Sequence, residues 1–319
     1  MKALKGLGTA LITPFKANGE VDYEALARLL DTQLNGYVDY IVVSGTTGEA
    51  ATMSEEEKTQ VRTFIRNYVN GRMPLVLGVG GNCTANVCEA LRTTDLSGFC
   101  AILSVCPYYN KPSQEGLYRH FCAVAEASPI PVILYNVPGR TGVNLLPETV
   151  MRIYEAHPDK IAGIKEASGN LTQIKQLIVE SRKTKERPAG SKSLSSLSDS
   201  GLSSLSDSGL SSLSPKDGLL VISGDDGIAC ELMEAGAAGL ISVASNAFPE
   251  DFWHIVHDKD AALQAKYAEM IRLLFAEGNP VGIKTVLAQK GIIRNYLRLP
   301  LVPASKELQE KIARHLKVL

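Results

Sequence analysis

The sequence has no excess of charge: 33 lysines and arginines against 34 aspartates and glutamates leave a net charge of -1. Nothing in that balance advertises nucleic acid or an anionic membrane as a partner. No apolar stretch approaches the length of a membrane span. The opening residues, Met1-Lys2-Ala3-Leu4-Lys5-Gly6, run straight into a strand-like segment. No signal peptide and a cytoplasmic location are therefore expected. The six cysteines, Cys83, Cys88, Cys100, Cys106, Cys122 and Cys230, include no Cys-x-x-Cys pair, and several lie in apolar runs. Free thiols in a reducing compartment are the expectation. The five histidines are scattered, and His254 and His257, although at helical i, i+3 spacing, have no carboxylate or cysteine cluster beside them. Neither a metal nor a cofactor is expected. A Gly-x-Gly-x-x-Gly turn after the first strand is also missing; Thr13-Pro14-Phe15 stands there, which is no phosphate cradle. That argues against a doubly wound open sheet, the main alternative for an α/β chain.

What is present is a regular alternation. The 319 residues, 45% hydrophobic and 21% charged, suit one large domain or a domain with an appendage. Eight short apolar runs recur at 8–14, 40–45, 75–80, 101–107, 131–138, 161–168, 219–225 and 239–245. They are nearly continuously apolar, as in parallel strands buried on both faces. Helix-like stretches separate them. Residues 21–35 carry apolar side chains at 26, 29, 30 and 34, and Ser54 followed by Glu57 reads as a capped helix start. Eight strand–helix units point to a (β/α)8 barrel. Beyond it the pattern turns helical, with segments near 260–277 and 280–290. The expected division is a barrel over 1–248 and a C-terminal helical region over 249–319.

One stretch breaks the alternation. Residues 195–202 read SSLSDSGL, 203–210 repeat them letter for letter, and 211–214 begin a third copy within a serine-rich region at about 186–214. The composition argues for a flexible insertion; a small solenoid is the alternative, but so few copies bury no core. It falls between a helix and the seventh strand, a connection on the face opposite a barrel's active site.

Catalytic groups in a barrel gather at the C-terminal strand ends. Lys165 closes the sixth run, Ile161-Ala162-Gly163-Ile164-Lys165. A strand-end lysine can simply snorkel into water. Desolvation, however, disfavours the charged form of an amine, and a neutral amine can form a Schiff base with a carbonyl compound. The second run ends in Gly45-Thr46-Thr47-Gly48-Glu49, where glycines permit a tight turn and two hydroxyls can bind a carboxylate. The fourth ends in Tyr108-Tyr109-Asn110-Lys111-Pro112 and the fifth in Tyr135-Asn136-Val137-Pro138-Gly139-Arg140-Thr141-Gly142. The seventh ends in Gly224-Asp225-Asp226-Gly227, whose carboxylates can equally be turn and helix caps. Glu49 can pair locally instead of reacting, and Tyr108 can pack at an interface. A lysine, phenols, threonines and an arginine without a histidine or metal suit imine chemistry on a 2-oxo acid, with hydroxyls moving protons and arginine gripping a carboxylate.

These motifs, in order and one per strand end, resemble the dihydrodipicolinate synthase (4-hydroxy-tetrahydrodipicolinate synthase) family of pyruvate-dependent aldolases. The likeness covers the chain except the serine-rich insertion. It implies a carbon–oxygen lyase that condenses pyruvate with L-aspartate 4-semialdehyde through a Schiff base, in lysine and diaminopimelate biosynthesis. It implies Lys165 as the Schiff-base lysine, Tyr135 as its proton carrier, Thr46 as the link to Tyr109, and Tyr109 as a residue acting in a neighbouring subunit's site. Thr47 would bind the pyruvate carboxylate and Arg140 that of the semialdehyde, with Gly224 and Ile241 lining the lysine pocket. A homo-oligomer, commonly a tetramer built as a dimer of dimers, is implied too. The alternative within the superfamily is an N-acetylneuraminate lyase, which typically lacks the arginine, or a sugar-acid aldolase or dehydratase. Lysine-sensitive relatives bind the amino acid at positions matching Ala50, Ala51, Glu55, Lys58, Asn82, Asn86 and Tyr108. Asn86 stands where those relatives usually carry a glutamate, so weak or absent lysine feedback is expected.

Overall fold

Eight strands follow one another around a closed barrel in chain order, each parallel to both neighbours. They are β1 (Gly6–Ala10), β2 (Tyr40–Val43), β3 (Leu75–Gly78), β4 (Ala101–Val105), β5 (Val132–Asn136), β6 (Ile161–Glu166), β7 (Leu220–Ser223) and β8 (Gly239–Ser242). The structure is a computed structural model that describes residues 2–185 and 218–319. Seven of the eight apolar runs contain a strand, and β1 overlaps the first but begins two residues before it; each strand is shorter than its run. The reason is visible after β1: Leu11, Ile12 and Phe15 stay buried although the ladder has ended. The rim loops are themselves covered, so apolarity outlasts strand pairing.

The barrel interior is filled by side chains such as Tyr40, Val42, Leu103, Ile133 and Ile241. Gly8 makes room for one of them, since a Cβ there would fall 2.3 Å from the Tyr40 ring. The outer layer comprises α1 (Tyr23–Asn35), α2 (Glu55–Val69), α3 (Thr84–Thr93), α4 (Gln114–Ala127), the one-turn α5 (Pro138–Thr141), α6 (Pro147–Ala156), α7 (Leu171–Lys185) and α8 (Ala229–Ala235). Helix α1 buries Leu26, Leu29 and Leu30 on the barrel and starts at Tyr23, because the Asp22 carboxylate accepts the Ala25 N–H at 3.0 Å. Helix α2 has the expected reciprocal cap: Ser54 Oγ accepts the Glu57 N–H at 3.2 Å, and Glu57 Oε2 accepts the Ser54 N–H at 3.0 Å.

Four helices follow the last strand: α9 (Pro249–His257), α10 (Ala261–Phe275), α11 (Val281–Gln289) and α12 (Lys306–Leu316). Two correspond to the segments anticipated near 260–277 and 280–290. Helix α9 packs on β1, β8 and α8, as an eighth outer helix would. We therefore propose to count it with the barrel and to begin the appendage at α10. The serine-rich stretch at about 186–214 lies outside the described residues; it joins the end of α7 to the start of β7. Among the described residues, no helix is long and apolar enough to cross a membrane.

Candidate active site

Strand register builds the centre of the rim. Tyr135 on β5 is level with Lys165 on β6, and Lys165 is level with Ile222 on β7. Alternate side chains on a strand face opposite ways. Tyr135 joins the interior cluster, and Lys165, only 6% exposed, sets its ammonium nitrogen 4.4 Å from the centre of the Tyr135 ring. Gly224, just past β7, leaves space for that lysine: a Cβ there would fall 2.9 Å from Lys165 Cε. Ile241 is buried in the same interior. So four of the residues singled out from the sequence, Lys165, Tyr135, Gly224 and Ile241, are brought together.

The next rung faces the helices. Asn136 and Glu166 are partners across β5 and β6. The buried Glu166 carboxylate accepts from Asn136 Nδ2 at 2.9 Å, Gln173 Nε2 at 3.0 Å and the Ser168 N–H at 2.7 Å. Asn136 Oδ1 in turn accepts the Leu145 N–H at 2.9 Å. Every amide in this group has a partner, which stiffens the strand pair that carries Lys165 and Tyr135.

A cavity of about 490 Å³ opens over the rim, lined by Tyr135, Arg140, Thr46 and Tyr108 among others. Lys165 and Thr47 are outside its lining; the lysine lies against the Tyr135 ring, which is part of it. Arg140 sits in α5 and donates to the Asn279 carbonyl at 3.2 Å. Thr47 is buried and its hydroxyl accepts from Asn279 Nδ2 at 2.9 Å. Thr46 is exposed, and among the described residues no hydrogen bond joins it to Tyr135 or Tyr109. The Thr46–Gly48 turn is made differently from expectation. Its left-handed positions are Ser44 (φ 56°) and Glu49 (φ 54°), not the glycines. Backbone of that kind in residues with a Cβ is uncommon and collects at functional sites.

Tyr109 is 90% exposed and is not among the residues that line this chain's cavity, whereas Tyr108 is. Ala50, Ala51, Glu55 and Lys58 line the same cavity, and Lys58 pairs with Glu55 at 2.7 Å. Asn82 and Asn86 are not in the lining; the Asn82 carbonyl accepts from Asn110 Nδ2 at 2.9 Å. Asp225 and Asp226 take the capping role. Asp225 accepts the Gly227 N–H at 2.8 Å, and Asp226 accepts those of Val243 and Ala244 at 3.0 and 3.3 Å. Burial pushes the Asp226 carboxyl up to about 6. Among the described residues, no group of three or more His, Cys, Asp or Glu could hold a metal ion.

Sequence reasoning missed two residues here, Asn279 and Lys284. Their partners in the Thr46–Glu49 turn, Thr47 and Glu49, lie more than two hundred residues away, so no local pattern announces them. The one available signal was a lysine inside Val281-Gly282-Ile283-Lys284-Thr285-Val286, an otherwise apolar helix.

Comparison with known proteins points to one family. The model of the dihydrodipicolinate synthetase family matches residues 3–191 and 211–319, leaving out the two full copies of the repeat. A 4-hydroxy-tetrahydrodipicolinate synthase of Parabacteroides distasonis is 46% identical over 99% of this chain and 97% of its own. A chloride-inhibited dihydrodipicolinate synthase of Acinetobacter baumannii, solved in complex with pyruvate, is 36% identical, covers 98% of both chains and superposes with a TM-score of 0.84. A monomeric dihydrodipicolinate synthase variant is 35% identical over 99% of this chain and 96% of its own, with a TM-score of 0.85.

Proposed function

The chain belongs to the dihydrodipicolinate synthetase family, and from that premise we propose that it condenses pyruvate with L-aspartate 4-semialdehyde through a Schiff base on Lys165. The Lys165 amine attacks the pyruvate ketone, and loss of water gives an imine. Removal of a methyl proton gives the enamine, whose carbon attacks the aldehyde. The semialdehyde's own amine then displaces Lys165 at the imine carbon, closing the ring of 4-hydroxy-tetrahydrodipicolinate and freeing the enzyme. The observation that carries this reading is the buried Lys165 nitrogen 4.4 Å from the Tyr135 ring, beside a cavity that Arg140 and Thr46 line.

Tyr135 is the proton carrier nearest the amine, and Thr47 and Arg140 hold the two substrate carboxylates. Tyr109, exposed on this chain, completes the hydroxyl relay through Thr46 in a partner's site. The working unit is then at least a dimer, and a dimer of dimers in the cytoplasm is the assembly proposed. The sugar-acid aldolase reading has no observation in its favour. Lysine is a poor inhibitor: Glu55 already pairs with Lys58, and no acid stands at Asn86 to receive an effector's ammonium.

The test is reduction with borohydride in the presence of pyruvate, followed by mass analysis, beside turnover assays with pyruvate plus aspartate semialdehyde and pyruvate plus N-acetylmannosamine. An irreversible mass gain on Lys165 and turnover of the semialdehyde alone are expected. No gain on Lys165 would sink the mechanism, and turnover of the acetylated sugar would move the substrate assignment. A lysine titration checks the regulation, where strong submillimolar inhibition would refute it.

A further inference from the structure

Glu49 lies two residues beyond Thr47, and no step above uses it. Its carboxylate forms an ion pair with Lys284, and both side chains are fully withdrawn from solvent. Lys284 Nζ also donates to the Tyr296 carbonyl at 3.0 Å and lies 4.2 Å from the centre of the Phe15 ring. Glu49 Oε2 accepts the Arg298 N–H at 3.2 Å. Burial drives the Lys284 ammonium down to about 8, with Glu49 opposing that shift. A buried ion pair is weak evidence for stability, because a well-packed apolar pair often does as well. What it fixes is geometry.

The pair joins two segments. One is the turn from Thr46 to Glu49, which ends in left-handed backbone at Glu49 (φ 54°). The other runs from Asn279 into α11, where Lys284 stands in the second turn. The same two segments meet again at Asn279. Its Nδ2 donates to Thr47 Oγ1 at 2.9 Å, and its carbonyl accepts from Arg140 Nη2 at 3.2 Å. Both proposed carboxylate holders therefore hang on one residue. That residue's place against the turn is set five positions later by the Lys284–Glu49 pair.

We propose that the buried Glu49–Lys284 ion pair is a positioning clamp, which seats Asn279 so that the Thr47 hydroxyl and the Arg140 guanidinium meet the two substrate carboxylates. The proposal rests on the synthase reading and adds to it two positioning residues that do not touch substrate. Loss of the clamp weakens substrate binding while leaving Lys165 and Tyr135, held by the β5–β6 register, able to react.

The test compares the wild-type enzyme with Glu49→Gln, Lys284→Met and the double variant, measuring kcat, each KM and the thermal midpoint. The double variant removes both charges, so it leaves no unpaired buried ion. Lys284→Met and the double variant are expected to raise both KM values about tenfold, with kcat within about threefold and borohydride trapping intact at saturating pyruvate. Glu49→Gln, which keeps the shape, is expected to shift KM in the same direction but less. The midpoint of the double variant should recover towards wild type while its KM values stay high. If the KM values recover along with the midpoint, or never move, the pair is merely structural and the clamp is overturned. Should Lys284→Met fail to fold, Glu49→Gln and the double variant still decide. If wild type itself neither traps pyruvate nor turns over the semialdehyde, the synthase reading falls instead, and the clamp with it, having no carboxylates to serve.

Discussion

Two buried glutamates stand beside proposed site residues, and they are satisfied in opposite ways. Glu166, next to Lys165, is held by neutral donors alone: the amides of Asn136 and Gln173 and the Ser168 N–H. Glu49, two residues past Thr47, is held by the Lys284 ammonium together with the Arg298 N–H. The surroundings explain the difference. The partners of Glu166 come from β5, α7 and its own loop, already aimed by the parallel register of the barrel. Those of Glu49 come from the C-terminal appendage, where no ladder aims anything. A neutral hydrogen bond relies on a scaffold to supply its geometry. An ion pair attracts from further off and helps create it. Both carboxylates are buried, but only one depends on a charge that a single substitution can strand.

Lys284→Met should show the largest effect. It leaves the Glu49 carboxylate buried and unpaired, at a cost of about 3–5 kcal/mol. Denaturant unfolding measures it, and the double variant Glu49→Gln/Lys284→Met should regain most of the loss. If the double variant is no more stable than Lys284→Met, a stranded charge is not the cause and the contrast with Glu166 disappears.

Glu166→Gln should cost less, about 2 kcal/mol, because the amide oxygen can keep both bonds from Asn136 and Gln173 while the amide nitrogen turns a donor towards the Ser168 N–H. The same unfolding experiment reads it. A loss as large as that of Lys284→Met would mean that neutral and charged satisfaction are energetically alike at this rim.

How much of this was legible in the sequence follows the same division. The barrel showed through because each strand is buried on both faces and leaves an unbroken apolar run. Lys165, Tyr135, Arg140 and the paired threonines stood out because they fall where those runs surface. The run ends were overshot, since loop residues such as Leu11 and Phe15 stay buried, Phe15 against Lys284 and Arg298 of the appendage. Helix α12 falls within the expected helical region but was not delimited, being strongly charged with only Leu308 and Ile312 buried. Lys284 and Asn279 could not be assigned roles, because their meaning lies in partners far along the chain. Residues aimed by the barrel ladder were readable; those aimed by long-range pairing were not.

Acid sharpens the comparison from the appendage side. Arg298 Nη1 donates to Glu57 Oε2 at 2.8 Å and holds the Glu57 carboxyl down at about 2, against an ordinary 4.5. A carboxylate depressed by folding adds stability that is complete above the unfolded value and disappears as pH falls through the folded one. The Glu57–Arg298 contribution should therefore fade between about 4.5 and about 2. Glu57→Gln, lacking the titrating group, should give a shallower fall in thermal midpoint across that window. An unchanged slope would show that this pair does not help dock the appendage.

The smallest effect separates the two duties of Glu57, which accepts the Ser54 N–H at 3.0 Å as well as the Arg298 guanidinium. Ser54→Ala removes the hydroxyl that accepts the Glu57 N–H but leaves the carboxylate in place. An N-cap of this kind contributes about 1 kcal/mol. The thermal midpoint should fall slightly and the KM values should stay put, because Arg298 keeps its partner. If Ser54→Ala instead raises KM as the Lys284 variants do, then the start of α2, and not the buried pair alone, carries the geometry of the Thr46–Glu49 turn.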